Sequence, residues 1–232
     1  MTVPARGRVD RAGKRLRDHR RGVARLAEPE LTTELIVEAF RAAHVEPMTA
    51  ATGHLRVLAG QVSDRESEVG QRPKRMETII DKLARQPTMR LSRMHDIAGC
   101  RAVLTEQPAA DALIDAIRAD PGWSVLPKTW DYVAEPKPDG YRAKHLVVTI
   151  DGLSVEIQVR TTLQHAWADL VERLDRDLGL RTKFGQADPT LAASLKDASD
   201  AIAAYERGEL DRTATISKLI ASSILAYRIH EP

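Results

Sequence analysis

Residues 144–160 read KHLVVTIDGLSVEIQVR, two runs rich in β-branched residues joined by Asp151-Gly152. An Asp-Gly pair between such runs is a strong hairpin signal, so strands are expected over Lys144–Asp151 and Leu153–Arg160. Side chains alternate along a strand, which puts Val155, Ile157 and Val159 on one face and Glu156, Gln158 and Arg160 on the other. A strand with one wet face is ordinary. This one, however, leads directly into Thr161, Thr162 and His165, which gathers polar groups at one end and points to a cleft.

Toward the N-terminus, Ile97–Leu104 (IAGCRAVL) and Trp123–Leu126 read as further strands, and Pro108–Ala119 between them has Leu113, Ala116 and Ile117 at helical spacing. That order predicts an α/β (α+β) fold, a mixed β-sheet covered by helices. Helices are expected over Leu31–Ala43, which follows Pro29, over about Ala50–Val62, and from Pro73 through Leu83. After Thr162 three apolar stripes follow, Leu163 to Leu174, Leu191 to Tyr205 and Ile216 to Tyr227. The expected organisation is a flexible basic arm over 1–28, a central domain over 29–185, and C-terminal helices over 186–232 that pack on the domain or in an oligomer interface.

The formal net charge of +2 hides an asymmetry. Residues 1–25 hold nine Lys or Arg (Arg6, Arg8, Arg11, Lys14, Arg15, Arg17, Arg20, Arg21 and Arg25) against Asp10 and Asp18, a surplus of +7, which leaves the rest at −5. Such a block is commonly a solvated tail; the sharper reading is an arm that meets a polyanion. The longest apolar stretches, such as Ile220–Leu225, are far short of the ~20 residues that span a bilayer. The basic start lacks the apolar core of a secretory signal, and Cys100 is the lone cysteine, so a cytoplasmic protein without membrane association is expected.

Asp96 stands at the entrance of the first of these strands and Glu156 on the last. Two carboxylates near the ends of neighbouring strands suit Mg²⁺, which takes one or two carboxylates and fills its other positions with water and substrate phosphates. The loop DYVAEPKPDGYRAKH (131–145) holds Lys137 between two prolines and places Tyr141 among polar neighbours, where a base-stacking face is credible. In RPKRMETIIDKL (72–83) a helix is expected to carry Arg72 and Lys74 at its start, with Lys82 eight residues beyond Lys74 on the same face.

The ordered series RPKRMETIIDK, RMHDIAGCR, DYVAEPKPDGYRAKH, and VEIQVRT followed by QHAWA resembles the synthetase domain of RelA/SpoT alarmone synthetases, over about Gln71 to Leu174. The resemblance implies a nucleotidyltransferase-like domain, flanked by N- and C-terminal helices, that moves the β,γ-diphosphate of ATP to the ribose 3′-OH of GDP or GTP. The products are (p)ppGpp and AMP. It implies Asp96 as Mg²⁺ ligand, and Glu156 as a second acid near the metal or activating the 3′-OH. Arg72 and Arg101 are implied to sandwich adenine, and Lys74 and Lys82 to hold the ATP phosphates. Tyr141 is implied to stack on guanine, with Lys137, His145 and Gln158 as acceptor-side contacts; Arg160 and His165 are placed less firmly.

Two departures bear on the acceptor. Trp130 stands where many members carry a basic residue before Asp-Tyr, with Lys128 two residues earlier, and Asp139 replaces the usual Asn before Gly-Tyr. The length leaves no room for the additional domains of long members, so a stand-alone small synthetase is expected. An alternative acceptor is the 3′ end of tRNA, met through Arg15, Arg17, Arg20 and Arg21, as in toxin relatives; a third reading is a catalytically silent regulatory module. A homo-oligomer through the C-terminal helices or an antitoxin protein are the partners the resemblance implies.

Overall fold

The computed structural model describes residues 3–23, 30–63, 67–180, 182 and 187–229. Three helices come first, α1 (Arg6–Arg20), α2 (Glu30–Ala43) and α3 (Val45–Val62). There follow β1 (Glu68–Pro73), α4 (Met76–Arg85), a 3₁₀ turn at Leu91–Arg93, β2 (Ala98–Leu104), α5 (Gln107–Ala119), and the short strands β3 (Ser124–Val125) and β4 (Trp130–Asp131). The hairpin β5 (Lys144–Ile150) and β6 (Leu153–Thr161) leads to α6 (Thr162–Asp177), α7 (Pro189–Glu206) and α8 (Arg212–Ile229). The α/β expectation holds, with strands and helices within a few residues of most expected spans.

The sheet is mixed, in the order β1-β2-β6-β5-β3, with β4 also on β5. Among the described residues only β2 and β6 run parallel; every other described pair is antiparallel. Opposed residues share a face, so the register sorts the side chains. Ala98, Cys100, Ala102 and Leu104 of β2, Val155, Ile157 and Val159 of β6, and Leu146 and Val148 of β5 line one face, where α3 and α5 close over them with Leu55, Leu58, Leu113 and Ile117. The other face carries Arg72, Arg101, His145, Glu156, Gln158 and Arg160. One buried face and one polar face thus follow from the alternation in residues 153–160.

Two further clusters flank the sheet. Val9, Ala12 and Leu16 of α1 pack with Val37 and Phe40 of α2, Ile79 and Leu83 of α4, and Leu91, Met94 and Ile97. Trp167, Val171 and Leu174 of α6 pack with Leu191, Leu195 and Ile202 of α7 and Ala226 of α8. Thr161 starts α6 with a capping box: its hydroxyl accepts from the Gln164 N–H, and the Gln164 side chain accepts from the Thr161 N–H.

Two expectations are corrected. The basic arm is no solvated tail over its described part: α1 buries Val9, Ala12, Gly13 and Leu16. Their spacing is helical, yet two of the four are Ala and Gly, so the stripe is masked by the arginines around it. Arg25 and Pro29, like the segment boundaries at 28 and 185, lie outside the described residues. The second correction concerns Arg72 and Pro73, which close β1 instead of opening a helix; α4 begins at Met76. The residue before a proline is pushed toward extended backbone, and the Lys74 N–H continues the strand pairing by donating to the Ile97 carbonyl at 2.9 Å.

Candidate active site

Asp96 lies just before β2, and its carboxylate Oδ2 accepts from Lys74 Nζ at 2.9 Å and from Lys82 Nζ at 2.7 Å. Lys74 reaches it from the link between β1 and α4, and Lys82 from the last turn of α4. The expected shared helix face is thus corrected: Lys74 precedes α4, and the two lysines meet at Asp96 from different elements. Burial works against ionisation of Asp96, but the two ammonium groups outweigh it and hold the carboxyl below the usual range. Its other oxygen, Oδ1, is buried with no hydrogen-bond partner.

On the polar face of β6, Glu156 Oε1 meets His145 Nδ1 at 3.2 Å and Oε2 accepts from Gln158 Nε2 at 2.7 Å. His145 Nε2 lies 2.8 Å from the Tyr141 hydroxyl, which accepts in turn from Arg160. One assignment satisfies all of these: Arg160 donates to Tyr141, Tyr141 donates to His145 Nε2, and His145 Nδ1–H donates to Glu156. Gln158 completes the set by accepting from Arg160 at 2.9 Å. Burial raises the Glu156 pKa, but the hydrogen bonds from His145 and Gln158 help bring it below the ordinary value, so Glu156 stays ionised.

Tyr141 is placed differently from the exposed ring that was expected. It is partly buried against the α6–α7 cluster, with Lys137 Nζ 4.5 Å and Arg160 Cζ 4.8 Å from its ring centre, and burial pushes its phenol up to about 12. Its loop is set by Gly140 at φ +92°, where an added Cβ would lie 3.2 Å from Lys196 Cα and 3.2 Å from Ser199 Cβ. Lys137 is also 4.5 Å from the ring of Tyr132, which meets Tyr141 and His145 edge-on. Tyr132 was missed in the sequence; its place beside Asp131 in the same loop was the available signal.

Arg72 and Arg101 lie on the polar face as diagonal neighbours, Arg72 opposite Gly99 and Arg101 opposite Gly70. Arg72 is exposed and pairs with Glu172 of α6 at 3.3 Å. Arg101 is half-buried; burial first, then Arg160, lowers its pKa, and burial followed by Arg101 and Arg160 lowers that of His165. His165 Nδ1 and Arg160 Nε are buried without partners. The face thus holds an aspartate with two lysines at one end, a bonded Glu-His-Tyr-Arg chain in the middle, and an arginine pair beside it. Such an array can neutralise and orient phosphates.

Among the described residues no cluster of three His, Cys, Asp or Glu could enclose a metal ion. Asp96 nevertheless fits a cation that completes its shell with water and substrate phosphate, because Oδ1 is a buried acceptor with nothing to accept from.

A family profile described as a region found in RelA/SpoT proteins matches residues 71–174, from the end of β1 through most of α6. That stretch, a little under half of the chain, is similar to the region shared by RelA/SpoT proteins. Every candidate from Arg72 to His165 falls inside it. An uncharacterized protein of Mycobacterium tuberculosis is 34% identical over 152 residues, 60% of this chain and 54% of that protein. The chain spans about half the length of the mycobacterial relatives it matches. A GTP pyrophosphokinase of Escherichia coli is 30% identical over 171 residues, 73% of this chain and 20% of that protein. The crystal structure of the small alarmone synthetase 1 from Bacillus subtilis bound to its product pppGpp matches with TM-score 0.60 and 26% identity, covering 78% of this chain and 95% of that one. The mixed sheet with flanking helices is thus the fold seen in that small alarmone synthetase. No described helix is long and apolar enough to cross a membrane.

Proposed function

We propose that this chain is a pyrophosphokinase that transfers the β,γ-diphosphate of ATP to the ribose 3′-OH of GDP or GTP. The observation that carries the reading is Asp96, held by Lys74 and Lys82 while its Oδ1 stays unpaired, in one polar face with Glu156. The likeness to a synthetase whose product is pppGpp supports it.

In the reaction the 3′-oxygen forms a bond to the β-phosphorus, the bond from that phosphorus to the α,β-bridging oxygen breaks, and AMP leaves with the electron pair. Little covalent chemistry is asked of the protein, so positioning and charge neutralisation dominate. Lys74 and Lys82 leave Asp96 for the triphosphate oxygens and stabilise the charge that develops there. Mg²⁺ held by Asp96 would polarise the attacked phosphoryl group when bound. Arg72 and Arg101 orient the adenine. Glu156, kept ionised by His145, accepts the 3′-OH hydrogen bond, and the Tyr141 loop with Lys137 and Gln158 positions the acceptor.

The test is to offer γ-labelled ATP with GDP, GTP, ATP and deacylated tRNA separately. Label on GDP or GTP is expected. Label on tRNA alone would replace the acceptor, and no transfer to any of them would make the chain a silent module.

A further inference from the structure

The cations of α1 fall into two groups. Arg17 donates to the Pro87 carbonyl and to Asp18 at 3.0 Å, Lys14 pairs with Asp18 at 2.7 Å, and Arg20 pairs with Asp81 of α4 at 2.7 Å. These fasten the helix to itself and to its neighbours. Arg6, Arg8, Arg11, Arg15 and Arg21 are exposed, and their side chains have no hydrogen bond or ion pair among the described residues. Arg8, Arg11 and Arg15, spaced three and four apart, form one stripe on the side away from Val9 and Leu16.

Across from α1 runs the turn after α4, which contributes Thr88, Met89 and Arg90 to a cleft of about 280 Å³ whose other wall is Asp10, Arg11, Lys14 and Arg17. The walls are fixed to each other. Asp10 Oδ1 accepts from the Ser92 N–H at 2.9 Å, and Gly13 lets α1 approach so closely that a Cβ there would lie 2.7 Å from Leu91 Cβ. Residues 85–93 add Arg85, Arg90 and Arg93 and no acid. Against these arginines and those of α1 stand the two aspartates of α1, so the surface is strongly cationic.

We propose that this surface, α1 together with the 87–93 turn, binds the phosphodiester backbone of a nucleic acid without reading its sequence. The chemistry argues for it in three ways. Planar guanidinium groups match phosphate, and most of the free cations are arginines. From Arg8 to Arg15 the stripe extends about 10 Å at 1.5 Å per residue, longer than a single phosphate group requires. Neither α1 nor the turn contains Phe, Trp or Tyr, the strongest base-stacking side chains, so contact with phosphate dominates. None of these residues belongs to the candidate active site, and the proposal stands or falls apart from the pyrophosphokinase reading.

The experiment uses the full chain and a labelled 20-nucleotide RNA of mixed sequence whose 3′ end is blocked by phosphate, so that it cannot act as acceptor. Parallel arms use DNA of the same sequence and a duplex RNA. Fluorescence anisotropy over a salt series is expected to show binding that weakens with salt. Arg8→Gln, Arg11→Gln and Arg90→Gln combined should weaken single-strand binding by roughly tenfold or more and reduce the log–log salt slope by about two. Circular dichroism, the thermal midpoint and nucleotide turnover should not change. No binding by the wild-type chain, or unchanged affinity and slope in the triple variant, overturns the proposal. Displacement of the RNA by an equal phosphate concentration of ATP or inorganic triphosphate also overturns it, in favour of a small-anion site.

Discussion

Asp96 illustrates how one side chain can be both stabilised and left incomplete. Its Oδ2 takes two ammonium donors while Oδ1 has none, and all three side chains are only 18–23% exposed. Asp96→Ala removes the neutralising charge from two half-buried lysines, and we expect a stability loss of about 1–3 kcal/mol in urea denaturation. Turnover in the labelled-ATP assay should fall at least about a thousandfold. Near-normal turnover in Mg²⁺ would remove the mechanism. Tyr141→Phe separates another pair of roles: it deletes the hydroxyl between Arg160 and His145 but keeps the ring. Since Arg160 Nε is already without a partner, the cost should be about 1–3 kcal/mol in the same denaturation experiment. An unchanged midpoint would mean that water serves Arg160 equally well. At this scale Asp96, Glu156 and Tyr141 were legible because each is a polar or aromatic residue where pattern alone requires none. The Arg72–Glu172 pair was not, since its members are 100 residues apart in the chain.

Among the elements, the β5–β6 hairpin was the most legible: the Asp151-Gly152 turn has positive φ at both residues, as a tight two-residue turn requires. Strand β1 was the least. Its sequence EVGQRP has no apolar alternation, it lies at the sheet edge, and its partner is chosen by β2, not by itself. Helix α1 was hidden for a different reason, as its buried stripe is narrow and its composition is that of a tail. A substitution tests its packing with a definite sign. In a solvated helix Gly13→Ala would stabilise by roughly 0.5–1 kcal/mol. In the packed α1 the new methyl would lie 2.7 Å from Leu91 Cβ, and we expect destabilisation of about 1–3 kcal/mol, read as a lower thermal midpoint.

For the whole molecule, the three clusters on and around the sheet bury titratable groups that resist protonation. His44, between α2 and α3, is buried, which lowers its pKa even though its Nδ1–H donates to the Phe40 carbonyl at 2.7 Å. His165 is lowered as well, by burial and then by Arg101 and Arg160. A histidine with a depressed folded value is protonated first in the unfolded chain. The stability it contributes is therefore present above pH ~6.5 and is lost as pH falls through the folded value. Thermal midpoints are expected to fall between pH 8 and pH 5.5, and His44→Asn should reduce that slope. An identical slope in the variant would assign the dependence elsewhere. The sheet's two-faced character was readable from one strand; which helices cover each face was not, because that depends on packing between distant segments.

The parallel contact between β2 and β6 also carries a kinetic consequence. Every other strand pair except β1–β2 belongs to a local run of the chain, but β2 and β6 meet only after about fifty intervening residues have been looped out. The hairpin can close early, whereas docking it on β2 is a long-range step of the kind that slows folding. Asp96 and Glu156 sit on opposite sides of that junction. A chain that has formed its helices and hairpin but not this contact would hold most of its secondary structure and none of its paired carboxylate chemistry. Recovery of activity after dilution from urea should accordingly lag behind recovery of helical circular dichroism.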